Sequence, residues 1–362
     1  MCDFRTGFNY TMVAKIRKLI EKSGFEELDL KGKFVAIKIH FGEPGNFAYL
    51  RPQYVRILVD YVKERGGKPF LTDCNTLYVG GRKNALDHLE SAYLNGFAPY
   101  ATGCHVIIAD GLKGTDEVNV PVENGIYVKE AKIGRAVMDA DVFISVTHFK
   151  AHENTGVGGV LKNIGMGCGS RAGKMEMHSA GKPKVVQEAC IGCGACAKVC
   201  GSDAIGFTDK KALINRDICT GCGRCIGVCP KDAVVPLYDE KNDILNEKIS
   251  EYTAAVLKGR PHYHISFVMD VSPYCDCHAE NDAPIIPDVG VFASFDPVAL
   301  DQACTDSALK MPVAENSLLS ERKASGNDHF KNLHPTTNWQ VMMDSAQRLG
   351  LGNKDYELIK IT

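Results

Sequence analysis

The cysteine spacing between residues 190 and 230 constrains this chain more than any other feature. A first run reads Cys190-x-x-Cys193-x-x-Cys196-x-x-x-Cys200, and a second reads Cys219-x-x-Cys222-x-x-Cys225-x-x-x-Cys229-Pro230. Every cysteine of the first run recurs 29 residues later. The neighbours recur too: Cys190-Ile191-Gly192-Cys193-Gly194-Ala195-Cys196 answers Cys219-Thr220-Gly221-Cys222-Gly223-Arg224-Cys225, and Ser202-Asp203-Ala204-Ile205 answers Lys231-Asp232-Ala233-Val234. Such self-similarity marks an internal duplication.

Thiolates two residues apart wrap a short loop around one corner of a cubane cluster, and the glycines let backbone N–H groups approach its sulfides. In the bacterial two-cluster arrangement the fourth cysteine of each run ligates the other cluster. The spacing therefore predicts two [4Fe–4S] clusters, one on Cys190, Cys193, Cys196 and Cys229, the other on Cys219, Cys222, Cys225 and Cys200. Gly201 stands where the pattern usually has proline, and it permits the same tight turn. A pair of four-cysteine zinc sites is the plainer alternative, but interleaved runs of this kind are uncommon for zinc.

The chain has fifteen cysteines in 362 residues. Eight of them crowded into two matched runs leave little room for disulfide geometry, so the spacing points to a reducing, anaerobic cytoplasm. A formal charge of −2 argues against a nucleic-acid binder or a polybasic membrane binder. No apolar run approaches the roughly 18 residues a membrane span needs. The start, Met1-Cys2-Asp3-Phe4-Arg5, has no apolar core of a secretory signal.

On both sides of the cysteine runs, strands alternate with helices. Strands are expected at Phe34–Ile39, Pro69–Thr72, Val106–Ala109, Val142–Val146, Ile265–Met269 and Val289–Ala293. Helices are expected from Pro52, around Leu86–Tyr93, near Ile133–Met138, over Leu245–Val256, from Pro297 and near Gln340–Leu349. This alternation implies an α/β fold with a large, mostly parallel sheet. An α+β dicluster ferredoxin-like domain (185–237) is then inserted between the two parts of the α/β domain (1–184 and 238–362).

Ligand sites in open α/β sheets lie beyond the carboxyl ends of the strands. Polar clusters follow the expected strands at those points. Lys38, His40, Glu43 and Asn46 come with Arg51 after the first, and Asp73 and Asn75 after the second. His148, Lys150 and His152 come after the fourth, and Asp296 with Asp301 after the last. Lys38 and His40 share parity and should face one side. The glycine-rich stretch Thr155–Asn163 runs toward Lys162 and offers N–H groups to an anion, although a plain tight turn explains it equally well. Arg171, Lys174 and His178 precede the cysteine runs and are expected between cluster and pocket, or in a solvated connector. Cys275-Asp276-Cys277-His278 supplies soft ligands at a spacing unlike zinc motifs, and a loop with buried thiols is the plainer reading.

Several stretches in order resemble one family. His40-Phe41-Gly42-Glu43-x-Gly45-Asn46, Thr72-Asp73-x-Asn75-Thr76-Leu77-Tyr78, His148-x-Lys150-x-His152, Gly165-Met166-Gly167-Cys168 and Phe292-Ala293-Ser294-x-Asp296-Pro297-Val298-Ala299 look like the "domain of unknown function 362" family, in its form with an embedded dicluster ferredoxin. The resemblance implies an iron–sulfur protein with an α/β domain and supplies no substrate. The leading expectation is an oxidoreductase fed by an external ferredoxin or flavoprotein. Lys38, His40, Arg51, Lys150 and the other polar strand-end residues would hold a small anionic substrate, and His148 or His152 would supply a proton. The alternatives are a non-enzymatic electron-transfer subunit that docks a partner enzyme, and a sensor or assembly protein with structural clusters.

Overall fold

A computed structural model describes residues 1–8, 10–178 and 181–361. Among these residues, six strands form the central sheet: β1 (Phe34–Lys38), β2 (Lys68–Asp73), β3 (His105–Ile108), β4 (Val142–His148), β5 (His262–Val268) and β6 (Gly290–Ser294). Their order is β6-β5-β4-β1-β2-β3. All pairs are parallel except β5 with β6.

β1 is apolar on both faces because helices cover both. Val35 and Ile37 pack against Ile16 and Ile20 of α1 (Met12–Lys22) and Val55 and Leu58 of α2 (Pro52–Glu64). α2 starts with Pro52, whose fixed φ suits a first turn, and its buried Val55, Leu58, Val59 and Val62 recur at helical spacing. After it come α3 (Ala85–Leu94), α4 (Val160–Cys168), α5 (Arg171–His178), α6 (Asn242–Leu257), α7 (Pro297–Leu309) and α8 (Trp339–Arg348). Ala36 and Phe143 face the other side, where Leu161 and Ile164 of α4 meet Ile249 and Tyr252 of α6. Truncating a side chain such as the fully buried Ile37 to alanine would cost about 2–5 kcal/mol.

One expected element differs. Ile133 lies in a strand, Glu130–Gly134, paired with Glu117–Pro121, and the helix is only Arg135–Asp139. Ala131 and Ile133 are both buried at a period of two, a strand signal the helical reading overlooked.

The segment carrying the cysteine runs closes on itself. Lys184–Val185 pairs with Val234–Val235, and Ile205–Thr208 pairs with Lys211–Ile214. Its duplication extends to the backbone: Gly192 and Gly221 have φ of +68° and +71°, and Asp203 and Asp232 have +51° and +49°. Cβ atoms at Gly192 and Gly221 would strike the carbonyl oxygens of Lys210 and Gly181, so both turns require glycine. Cys190, Cys196, Cys225, Ile226 and Val234 form an apolar cluster separate from the sheet. No helix among the described residues is long and apolar enough to cross a membrane.

From β1 the chain proceeds outward through β2 to β3, whereas β4 lies on the opposite side of β1. Strand order reverses there, and a crevice opens at the carboxyl ends of β1 and β4.

Candidate functional site

A cavity of about 570 Å³ occupies that crevice. Lys38 and Asp73, the last residues of β1 and β2, form its floor with His40 and Glu43, while Lys150, His152 and Lys162 enter from beyond β4 and from α4. The shared parity of Lys38 and His40 thus carries both into one cavity.

The floor is a buried charge network. Lys38 Nζ lies 3.1 Å from Asp73 Oδ1 and donates to Asn163 Oδ1 at 2.9 Å. Arg82 Nε donates to Glu43 Oε2 at 2.9 Å. Burial acts to raise the Asp73 carboxyl, but Lys38 and its other cationic neighbours outweigh it and hold the group below the usual carboxylate range.

The side chains above this floor differ in their charge balance. Lys150 lies 3.1 Å from Asp276, and Lys162 donates to Cys275 Sγ at 3.1 Å. The Cys275 thiol is pushed well down by the hydrogen bond from Cys277, helped by Lys162. Lys174, from α5, donates to the carbonyls of Gly169 at 2.6 Å and Gly167 at 3.3 Å, and pairs with no carboxylate among the described residues. His178 also lines the cavity, and burial pushes its pKa down to about 3, leaving it neutral. His152 Nδ1 accepts from the N–H groups of Asn154 and Thr155 at 3.1 and 3.3 Å, so its ring proton sits on Nε2.

Five expected site residues lie elsewhere. His148 is buried with both ring nitrogens engaged, Nδ1 at 2.9 Å from Asp276 and Nε2 at 2.9 Å from the Met269 carbonyl, so neither faces the cavity. Asn46 donates to the His278 carbonyl, and Asn75 to Asp110 and the Gly111 carbonyl, each bracing a loop. Arg51 pairs with Asp270 at 2.8 Å beyond the cavity. Asp296 caps α7, accepting from Val298 and Ala299 at 2.8 Å. It follows a strand that runs opposite to its neighbours, so it emerges at the other edge of the sheet.

The glycine-rich stretch is not an open anion cradle. Asp301 already accepts from the first N–H groups of α4, Val160 at 2.6 Å and Leu161 at 2.9 Å. A Cβ at Gly159 would collide with that carboxylate, which explains the glycine. Arg82, Tyr78, Tyr238 and Glu153 also line the cavity. Sequence reasoning missed Arg82 because its loop carries no periodic or motif signal, whereas Tyr78 lay within a quoted family stretch.

The eight cysteines of the two runs gather into two sets. One void is lined by Cys190, Cys193, Cys196 and Cys229, and a second by Cys200, Cys219, Cys222 and Cys225. This clustering is compatible with iron–sulfur binding. Leu77 links the two regions of the molecule: it lines the main cavity and packs in one apolar cluster with Cys190, Cys196 and Cys225. Met175 of α5 belongs to the same cluster, and the Arg171 side chain runs against Gly223 and Gly227. α5 therefore lies between the cavity and the cysteine segment.

None of the curated proteins compared matches the chain. Among solved structures, the lactate racemase apoprotein from Thermoanaerobacterium thermosaccharolyticum is similar at 13% identity and a TM-score of 0.42, over 78% of this chain and 51% of that chain. A Thermotoga maritima protein is similar at 10% identity and a TM-score of 0.38, over 95% of this chain and 60% of that one. The chain thus spans between about half and three fifths of the length of these structures. A family model described as "Domain of unknown function (DUF362)" matches residues 35–306, most of the chain, including the eight cysteines of the two runs. The chain belongs to the DUF362 family.

Proposed function

We propose that this protein is an iron–sulfur oxidoreductase that passes low-potential electrons through two [4Fe–4S] clusters to a small anionic ligand in the strand-end cavity. The observation that carries this reading is the position of Leu77, which touches both the cavity and the apolar cluster holding cysteines of both sets. In this reading residues 185–237 are a dicluster ferredoxin-like insertion. The residues fit the cofactor: four thiols line each void, and the glycine turns bring backbone close to them. The clusters, when bound, supply one-electron transfer. Lys174, with no carboxylate partner among the described residues, attracts the anion, and Lys162 and Lys150 flank it. His152 lines the cavity with its Nε2–H directed at Cys275, and takes the proton-donor role in place of His148.

Electrons enter from the far side. Cys193 is exposed, and Ile191 and Phe207 beside it are 59% and 45% exposed, an apolar edge suited to an external ferredoxin or flavoprotein. The same edge favours the second reading, a non-enzymatic electron-transfer subunit that docks a partner enzyme there.

The test is anaerobic. Dithionite-reduced protein is offered small carboxylates and phosphate esters that carry a reducible carbonyl or carbon–carbon double bond, and its reoxidation is followed by EPR. The oxidoreductase reading expects one class of anion to speed reoxidation in wild type and to lose that effect in Lys174→Met. If no anion acts, and the reduced protein instead forms a stable complex in anaerobic pull-down, the subunit reading replaces it.

A further inference from the structure

One group of side chains at the cavity rim is not used by the electron-transfer reading. Glu153, Cys277 and His278 all line the cavity, and one ligand atom from each lies within 4.8 Å of the other two. They come from distant parts of the chain. Glu153 sits in the turn between the paired segments Lys150–His152 and Gly156–Gly158, whereas Cys277 and His278 follow β5 in a separate loop.

Beyond an ion pair between Glu153 and His278, two details mark this group. The ion pair, His278 Nε2 3.2 Å from Glu153 Oε1, already has the edge of roughly 3.3 Å that two ligands on a tetrahedral zinc ion span, so a metal can replace the shared proton without moving either group far. The other ring nitrogen, Nδ1, is 3.2 Å from Glu280 Oε1, the carboxylate-on-histidine arrangement that orients a metal-bound imidazole. Glu153 Oε2 is buried and has no hydrogen-bond partner, an orphaned acceptor beside the thiol. The set joins a soft ligand, a borderline ligand and a hard ligand, which suits a zinc-class divalent ion.

We infer that Glu153, His278 and Cys277, whose thiol proton is released on binding, hold a single zinc-class metal ion whose fourth coordination position opens into the cavity. With three protein ligands the site has the form of a catalytic rather than a closed structural zinc centre. An oxygen of an anionic ligand would take the open position, polarised by the metal and flanked by Lys162 and Lys174. Glu280 is a positioning residue, acting on the ion through His278. This inference is independent of the cluster assignment, because none of the eight run cysteines takes part.

The test supplies Zn2+ to anaerobically prepared full-length protein, removes loose metal by desalting over a mild chelator, and measures zinc and iron together. Wild type should retain about one zinc per chain. Cys277→Ser and Glu153→Gln should each bring zinc to background with iron unchanged. Glu280→Gln should weaken zinc binding about tenfold while keeping it. Wild type that retains no zinc, or Cys277→Ser that retains as much as wild type, overturns the inference. Zinc-edge X-ray absorption of wild type alone decides the matter even if the variants fail to fold. A single sulfur with nitrogen and oxygen ligands supports the site, and a shell of two or more sulfurs overturns it.

Discussion

Lys38 and Asp73 end two neighbouring parallel strands and meet there as a buried ion pair, Nζ 3.1 Å from Oδ1, with side chains 1% and 4% exposed. Register makes the pair: Lys38 is opposite Thr72, so the two chain ends leave the sheet together. Asn163 takes another Lys38 proton, and Arg82 lies 3.6 Å from the second Asp73 oxygen. The floor of the cavity is therefore neutralised from within, whereas Lys174, which meets no carboxylate among the described residues, keeps its charge for a ligand.

Removing one partner of such a pair leaves an uncompensated buried charge. Lys38→Met should destabilise the protein by about 3–5 kcal/mol. Lys38→Met/Asp73→Asn should recover part of that loss, since the stranded carboxylate is gone. Denaturant unfolding of both variants checks this, and a double variant no more stable than the single would contradict it.

The interleaving of the cysteine sets has a direct readout in metal content. Cys229→Ser should resemble Cys193→Ser, and Cys200→Ser should resemble Cys222→Ser, each lowering iron from about eight to about four per chain. EPR of the reduced variants should sort them into the same two pairs. A sorting by sequence run instead, Cys200 with Cys193, would refute the interleaving.

His148 and His152 should separate cleanly. His148→Ala removes a hydrogen bond to the buried Asp276 and should cost about 2–4 kcal/mol of stability. His152→Ala should cost less stability and should slow anion-driven reoxidation. Thermal unfolding beside reoxidation kinetics distinguishes them, and slowed reoxidation confined to His148→Ala would restore His148 to the proton-donor role.

Asp301 gives the fold a pH dependence. Burial pushes its pKa up to about 7, although the N–H groups of Leu161 and Val160 act in the opposite direction. The folded state therefore holds a proton that the unfolded chain, with its aspartate near 4, has released. The resulting stabilisation is complete below about pH 4 and is lost as pH rises to about 7, an effect on the order of 4 kcal/mol. Asp301→Asn should flatten this component between about pH 4 and 7, measured as the slope of the unfolding midpoint. An unchanged slope would mean that Asp301 does not titrate there.

The sequence by itself determined the elements whose signal is local. Mainly apolar runs gave β1 and β4, Pro52 and Pro297 opened helices, and the cysteine spacing predicted which four thiols share each void. It also placed Lys38, His40, Asp73 and Lys150 near one another, because residues at the carboxyl ends of parallel strands converge at one edge. Tertiary structure alone decided what those side chains do. The antiparallel direction of β6 sent Asp296 to the other edge, and the hydrogen bonds of His148 turned it into a structural residue. Asp301, far along the chain, occupies the N–H groups that the glycine-rich stretch offered. Glu153 joins Cys277 and His278 across more than a hundred residues of chain. Spacing reads ligands carried on one loop, but it carries no information about groups that packing brings together from different layers of the fold.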